Sequence, residues 1–361
     1  MPNVSVALGP RSYDIVIGQN LLAHAGQFVQ SRLRASHVVV VTDENVEPLY
    51  GEVVLKSLAG VTERCDMVGI PAGETSKSVD CLAALWEKLL EFGTDRKSAI
   101  VALGGGVVGD LAGFLAASYA RGLAFLQIPT TLLAQVDSSV GGKTGINLST
   151  AKNLVGAFWQ PRGVLIDTNT LQSQTARDFA SGLAEVIKYG VIQDAEFFEF
   201  LEAHPAQLLA RDAETLGQVV ARCCELKAAV VTQDEREETG LRAILNYGHT
   251  FAHALEAVSG YGELLHGEAV AIGMDCAARL AMRLGRIDAS LVERQRALLR
   301  GVGLPVTVPP LDLDALIQSM SHDKKVEHGR LRFVLPSRLG HVELVGDIPP
   351  ELVREILAGG D

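Results

Sequence analysis

The sequence predicts two domains, a parallel-sheet α/β half over residues 1–172 and a mostly α-helical half over residues 173–361. Three observations carry that expectation. At 361 residues the chain is longer than one compact core usually organises. Up to about residue 170, short β-branched runs alternate with amphipathic stretches, the mark of a sheet with helical crossovers. Beyond residue 175 the apolar period is helical almost throughout.

Taken in order, Val38–Val41, Ala99–Leu103, Leu123–Ile128 and Val164–Ile166 are apolar at every position or nearly so, as strands buried on both faces are. The longest apolar tract, Leu111 to Leu133, is interrupted by Arg121, Gln127 and Pro129, and reads as helix, turn and buried strand instead of a membrane span. In the second half, Pro205, Gly240, Gly260 and Gly285 divide the helical pattern. Leu331–Leu335 and His341–Val345 are expected to pair as a small hairpin, and Pro350–Leu357 to form a last helix. No internal repeat or low-complexity segment is present.

Composition narrows the function. A formal charge of −11 argues against nucleic acid as a partner, which requires clustered Lys and Arg in excess. Basic residues nevertheless collect in a few apolar neighbourhoods, the pattern of a local pocket for a small anion inside an acidic body. The five cysteines, Cys65, Cys81, Cys223, Cys224 and Cys276, are odd in number without Cys-x-x-Cys spacing, so reduced core thiols are expected. No basic region followed by an apolar run opens the chain, and a cytoplasmic location without membrane attachment is expected.

The segment SAIVALGGGVVGDLAGF sets Gly104, Gly106 and Gly109 in G-x-G-x-x-G spacing between a strand and a helix. Backbone N–H groups there can approach a pyrophosphate at the helix N-terminus, which predicts a Rossmann-like nucleotide-binding domain; a tight βα turn that only packs is the alternative. The ribose-binding carboxylate expected after the following strand is replaced by Pro129, Thr130 and Thr131, which leaves Asp43, at the end of HVVVVTD, as the better candidate. The loop Pro71–Lys77, with Gly73, Glu74 and Lys77, reads either as a reach toward a nicotinamide or as a solvated helix cap.

Three charge anomalies mark the helical half. Lys227 shares a helix face with Leu216, Val220, Cys223 and Val231, so its ammonium either snorkels or meets an anion. In GLAEVIKYGVI, Glu185 and Lys188 stand one turn apart among Leu183, Val186, Ile187 and Val191, which makes full exposure of this pair a poor reading. Arg242, Asn246, His249 and His253 fall at i, i+4, i+7 and i+11, one polar stripe if a single helix carries them. His249 and His253 have metal-ligand spacing, and His266 precedes a glycine and a helix in LLHGEAVAIGM. Glu185, His249 and His266 together would form the two-His, one-carboxylate set of a catalytic zinc, giving a metal-binding C-terminal domain.

The motifs LGGGVVGDLAGFLA, PTTLLAQVDSSVGGKTGIN, KNLVGAFWQP, GLAEVIKYG, LNYGHTFAHALE and LLHGEAVAIGM, spread over nearly the whole chain, resemble the 3-dehydroquinate synthases, a branch of the sugar phosphate cyclases. The resemblance implies a lyase of the shikimate pathway of aromatic amino acid biosynthesis, converting 3-deoxy-D-arabino-heptulosonate 7-phosphate to 3-dehydroquinate and phosphate with catalytic NAD and Zn2+ or Co2+. It implies metal ligands at Glu185, His249 and His266, and NAD contacts at Asp43, Glu74, Lys77, Gly105, Gly106, Val107, Asp110, Thr130, Thr131, Lys143 and Lys152. Substrate contacts are implied at Arg121, Asp137, Lys143, Lys152, Asn153, Lys188, Lys227, Arg242, Asn246, His253 and one of Lys324 and Lys325. Of these, Asp137, Lys188 and His253 suit proton handling, with Lys143 and Arg242 also in the catalytic set. A homodimer is implied too, with Arg121 reaching across it. The run LQSQTARDFASG departs from the family pattern, lacking its Pro and carrying Asp178 in place of Glu. Another sugar phosphate cyclase and a metal-dependent polyol dehydrogenase are the alternative readings; only the dehydrogenase would consume NAD stoichiometrically.

Overall fold

The computed structural model describes residues 3–149, 151–260, 262–321 and 331–359. The chain divides into two compact units, Met1–Gln174 with Ala213–Arg236, and Thr175–Asp212 with Glu237–Asp361. This differs from the single boundary expected at residues 172–173. The chain crosses three times, because the helix Ala213–Gln233 packs against the first two strands of the α/β unit.

In the first unit, β1 (Asn3–Val6), β2 (Tyr13–Gly18), β3 (His37–Asp43), β4 (Arg64–Ile70), β5 (Ala99–Gly104) and β6 (Ala124–Pro129) precede a hairpin of β7 (Lys143–Leu148) and β8 (Ala151–Phe158); β9 (Val164–Asp167) follows it. Seven of these form one sheet in the order β1-β2-β9-β6-β5-β3-β4. All its pairings are parallel except that of β1 with β2.

Side-chain alternation along β3 and β5 builds a core on each face. Val39, Val41, Ile100 and Ala102 point to one side, where Leu82, Leu85, Leu111 and Leu115 cover them. Val38, Val40, Val101 and Leu103 point to the other, onto Phe28, Val29, Val54 and Leu58. Burial on both faces is why these strands are continuous apolar runs. β4 is an addition to the expected strands, and its residues are exposed or only partly buried until Ile70, as an edge strand permits.

Chain order reverses beside β3: the chain moves outward to β4 and returns to β5 on the opposite flank. In doubly wound sheets the carboxyl ends of the strands at such a switch point form the ligand crevice. Asp43 ends β3, the glycine loop follows β5, and Thr130 and Thr131 follow β6.

The second unit is helical, with a hairpin of β10 (Phe333–Arg338) and β11 (His341–Val345) close to the expected pair and a last helix at Pro350–Leu357. At its centre lies His266–Arg283, in which every residue from Gly267 through Ala281 except Glu268 is buried. Such burial demands small residues. A Cβ on Gly267 would lie 1.8 Å from the Ser181 carbonyl oxygen, and one on Gly273 would lie 2.2 Å from that of Gly248. Among the described residues, no helix is long and apolar enough to cross a membrane.

All five cysteines are free, and Cys223, Cys224 and Cys276 are buried. Burial pushes the Cys224 and Cys276 thiols up to about 12. At pH 8 roughly one thiol in ten thousand is then ionised. Iodoacetamide is therefore expected to leave Cys224 and Cys276 unmodified in the folded protein and to label both after unfolding. Labelling of either at native pH 8, read by peptide mass, would show that the interior opens.

Candidate functional site

In the first unit, the helix Gly106–Ser118 starts directly after β5, with Gly105 as its N-cap residue. Its first-turn N–H groups have no intrahelical acceptor, and they carry the positive end of the helix dipole. Close packing keeps this turn bare. A Cβ on Gly105 would lie 3.2 Å from Thr131 Cγ2, and one on Gly106 would lie 3.1 Å from Ser138 Oγ. Thr130 N–H donates to the Gly104 carbonyl at 2.9 Å, which ties the end of β6 to the glycine loop. Asp43 turns its carboxylate back to accept from Asn45 and Val46 N–H at 2.9 and 3.0 Å.

Lys77 is 4% exposed, and its ammonium donates to Asp110 Oδ2 at 2.7 Å and to Asn153 Oδ1. Burial opposes the charge, but Asp110 and Glu74 together hold the Lys77 ammonium above its ordinary value. Asn147 braces this group: its amide donates to Glu74 at 2.8 Å and its carbonyl accepts the Asn153 N–H at 2.8 Å. The solvated-cap expectation for Pro71–Lys77 does not hold, since Lys77 is buried in an ordered polar cluster and the capping role falls to Ser78, which accepts from Cys81 N–H. Val107 lies in the first turn of the glycine-loop helix, and Lys143 and Lys152 lie on β7 and β8. Arg121 is exposed on the turn Tyr119–Arg121, at φ +67°.

Lys227 belongs to this unit and not to the helical one. It meets an anion from its own chain: Nζ lies 2.8 Å from Asp137 Oδ1 and donates to the Asp137 carbonyl at 2.6 Å. That partner is ninety residues away, beyond the reach of any local pattern.

The second unit brings Glu185, His249 and His266 together. Glu185 lies on Ala176–Gln193, while His249 and His266 are the first residues of His249–Ser259 and His266–Arg283. Glu185 Oε1 is 3.5 Å from His249 Nε2 and 3.6 Å from His266 Nε2. Donor atoms about 2.0–2.1 Å from a tetrahedral ion stand about 3.3 Å apart, so these separations match edges of a coordination polyhedron. One donor atom from each residue lies within 4.8 Å of the others. Two imidazoles and one carboxylate, with Glu185 only 1% exposed, fit a divalent cation.

Lys188, 2% exposed, forms an ion pair with Glu185 Oε2, so the carboxylate faces a cation on one side and two imidazoles on the other. His253 is exposed one turn after His249, their rings edge-on with centroids 5.5 Å apart.

The expected polar stripe of Arg242, Asn246, His249 and His253 is not one helix. Arg242 and Asn246 occupy a 3-10 segment, Leu241–Asn246, and the chain turns at Gly248, φ +79°, before the His249 helix begins. A Cβ at Gly248 would lie 2.8 Å from the backbone of Met274, so the break accompanies close contact with the central helix. Arg242 is 3% exposed, with Nε 3.6 Å from Glu237. Lys324 and Lys325 lie outside the described residues.

Sequence reasoning missed Glu256, 7% exposed, whose Oε2 lies 3.5 Å from His266 Nδ1. Its signal was present, since position i+7 from His249 falls on the same helix face. Burial opposes a charge on His266, but Glu185 and Glu256 outweigh it and push its pKa up to about 10. The atypical run before Glu185 is a helix start: the Thr175 side chain accepts from Asp178 N–H at 3.1 Å and donates to Asp178 Oδ2 at 2.6 Å.

Residues 67–181 match the family described as 3-dehydroquinate synthase N-terminal, and residues 182–326 match 3-dehydroquinate synthase C-terminal. A 3-dehydroquinate synthase of Rhodopirellula baltica is 54% identical, covering 99% of this chain and 98% of the relative. Among solved structures, 2-deoxy-scyllo-inosose synthase complexed with carbaglucose-6-phosphate, NAD+ and Co2+ superposes with a TM-score of 0.89 at 26% identity, covering 99% of this chain and 100% of its own. The 2-epi-5-epi-valiolone synthase of Streptomyces hygroscopicus, with NAD+ and Zn2+ bound, gives 0.89 at 30% identity and 98% coverage of both chains.

Proposed function

Because the chain belongs to the 3-dehydroquinate synthase family, we infer that it converts 3-deoxy-D-arabino-heptulosonate 7-phosphate to 3-dehydroquinate and phosphate, using NAD catalytically with a divalent metal ion. The observation that carries the reading is the convergence of Glu185, His249 and His266 at coordination distances. When bound, NAD takes up and returns one hydride, and zinc or cobalt polarises a substrate hydroxyl.

The protein's own residues supply binding and proton management. The first-turn N–H groups of the glycine loop receive the NAD pyrophosphate, and Asp43 receives the adenosine ribose. Asp43→Ala is expected to weaken NAD binding roughly tenfold, the worth of one charge-assisted hydrogen bond, as read by calorimetry; an unchanged affinity would place the ribose elsewhere. Arg121, Lys143, Lys152 and Asn153 suit the phosphate, while Lys227, Arg242 and one of Lys324 and Lys325 suit the remaining anionic and polar groups. Lys188, paired with Glu185, and Asp137, paired with Lys227, are positioned to hold or release a proton, and His253 is a third candidate.

The enzyme is proposed to act in the cytoplasm as a homodimer. Leu154 and Phe158, 49% and 42% exposed, share one face of β8 in the hairpin β7–β8, an apolar surface suited to a second copy. Leu154→Glu is expected to shift the sedimenting species toward monomer, and a wild-type profile for that variant would remove this hairpin from the interface.

The test of function is a reaction containing enzyme, zinc, the heptulosonate phosphate and NAD far below the substrate concentration. Phosphate release in large excess over NAD, without accumulating NADH, is expected. Accumulation of NADH with no phosphate would instead indicate a polyol dehydrogenase.

A further inference from the structure

Imidazole offers a metal only one of its two nitrogens, and the partner of the other nitrogen decides which. At His249, Nδ1 faces the Tyr247 carbonyl at 3.1 Å, leaving Nε2 toward Glu185. At His266, Nε2 also faces Glu185, and Nδ1 faces Glu256 Oε2 at 3.5 Å. The two rings are thus oriented alike, one by a backbone carbonyl and the other by a carboxylate.

We infer that Glu256 is a positioning residue for the metal centre, accepting the Nδ1–H of His266 so that Nε2 is the nitrogen presented to the ion. Three observations support it. Glu256 is a carboxylate in the interior of its unit, where a charge is costly unless it has a polar partner. It belongs to the same helix as His249, two turns on, so one rigid element carries a ligand and the support of a second ligand. His266 opens a different helix, and its contact with Glu256 ties the start of that helix to the later turns of the His249 helix. A carboxylate in this place also raises the basicity of the ligating nitrogen, which tightens the bond to a divalent ion.

The inference rests on Glu185, His249 and His266 being the metal ligands, and its test separates the two ideas. Metal-free wild type, Glu256→Gln, Glu256→Ala and His249→Ala are titrated with Co2+ against a chromophoric chelator, and the visible absorption of each cobalt form is recorded. Glu256→Ala is expected to bind cobalt roughly 10- to 100-fold more weakly, with a shifted ligand-field spectrum. Glu256→Gln, which keeps an acceptor oxygen without the charge, is expected to lose roughly threefold to tenfold and to retain more of the wild-type spectrum; it serves alone if the alanine variant does not fold. Wild-type affinity and spectrum in both Glu256 variants, with binding lost in His249→Ala, would overturn the role of Glu256. Undiminished cobalt binding in His249→Ala would overturn the metal centre beneath it.

Discussion

His249→Ala is expected to lose stoichiometric zinc and turnover together, with activity lower by at least about a thousandfold. The metal's contribution to transition-state stabilisation is several kcal/mol, and about 4 kcal/mol corresponds to that factor. Only two donors would remain, Glu185 and His266, and those two would collapse onto each other as a simple ion pair. The fold itself should survive, because alanine suits the first turn of a helix. The metal-free variant should therefore melt near the metal-free wild type, while added zinc should no longer raise its melting temperature. Retention of one zinc per chain, measured by atomic emission after dialysis, would contradict the ligand assignment.

Gly267→Ala is expected to damage the same centre without altering a ligand. Its new methyl would sit 1.8 Å from the Ser181 carbonyl oxygen, well inside contact distance, and the obstacle is backbone and not a mobile side chain. The His266 helix must withdraw from the Glu185 helix by an ångström or more, and the bond from Gly267 N–H to Ser181 Oγ, 2.9 Å, is strained with it. Overpacking of this kind costs about 1–3 kcal/mol in stability. The larger consequence falls on geometry, since Glu185 lies one turn after Ser181 and His266 adjoins Gly267. Zinc affinity is expected to fall at least roughly tenfold, because a polyhedron held by two helices tolerates little separation between them. Gly267→Ala protein with wild-type zinc affinity would mean that the helix contact does not set the ligand distances.

Much of this was legible from local pattern. The strands at Val38, Ala99, Leu123 and Val164 were readable because burial on both faces removes polar residues from the run. Edge strand β4 and the short β1–β2 pair escaped notice because half-burial leaves a mixed composition. Glu185 and Lys188 were conspicuous as charges among apolar neighbours, and the structure buries them as a pair. Periodicity failed at Gly248, where a left-handed residue ends one segment and restarts the phase, so four polar residues at helical spacing occupy two elements. Lys227 announced that it needed an anion but not which one, and its helix gave no sign of joining the sheet unit, because an apolar stripe has the same period whatever it packs against. Glu256 was passed over because one carboxylate at the end of a helix usually reads as solvated surface.

The central claim, that Glu185, His249 and His266 hold one catalytic cation, is tested most directly by X-ray absorption at the zinc K-edge of the loaded enzyme. The expected first shell contains two imidazole nitrogens and carboxylate oxygen, and the zinc signal is lost from His249→Ala protein after dialysis. A shell containing sulfur, or one lacking imidazole altogether, would contradict the account.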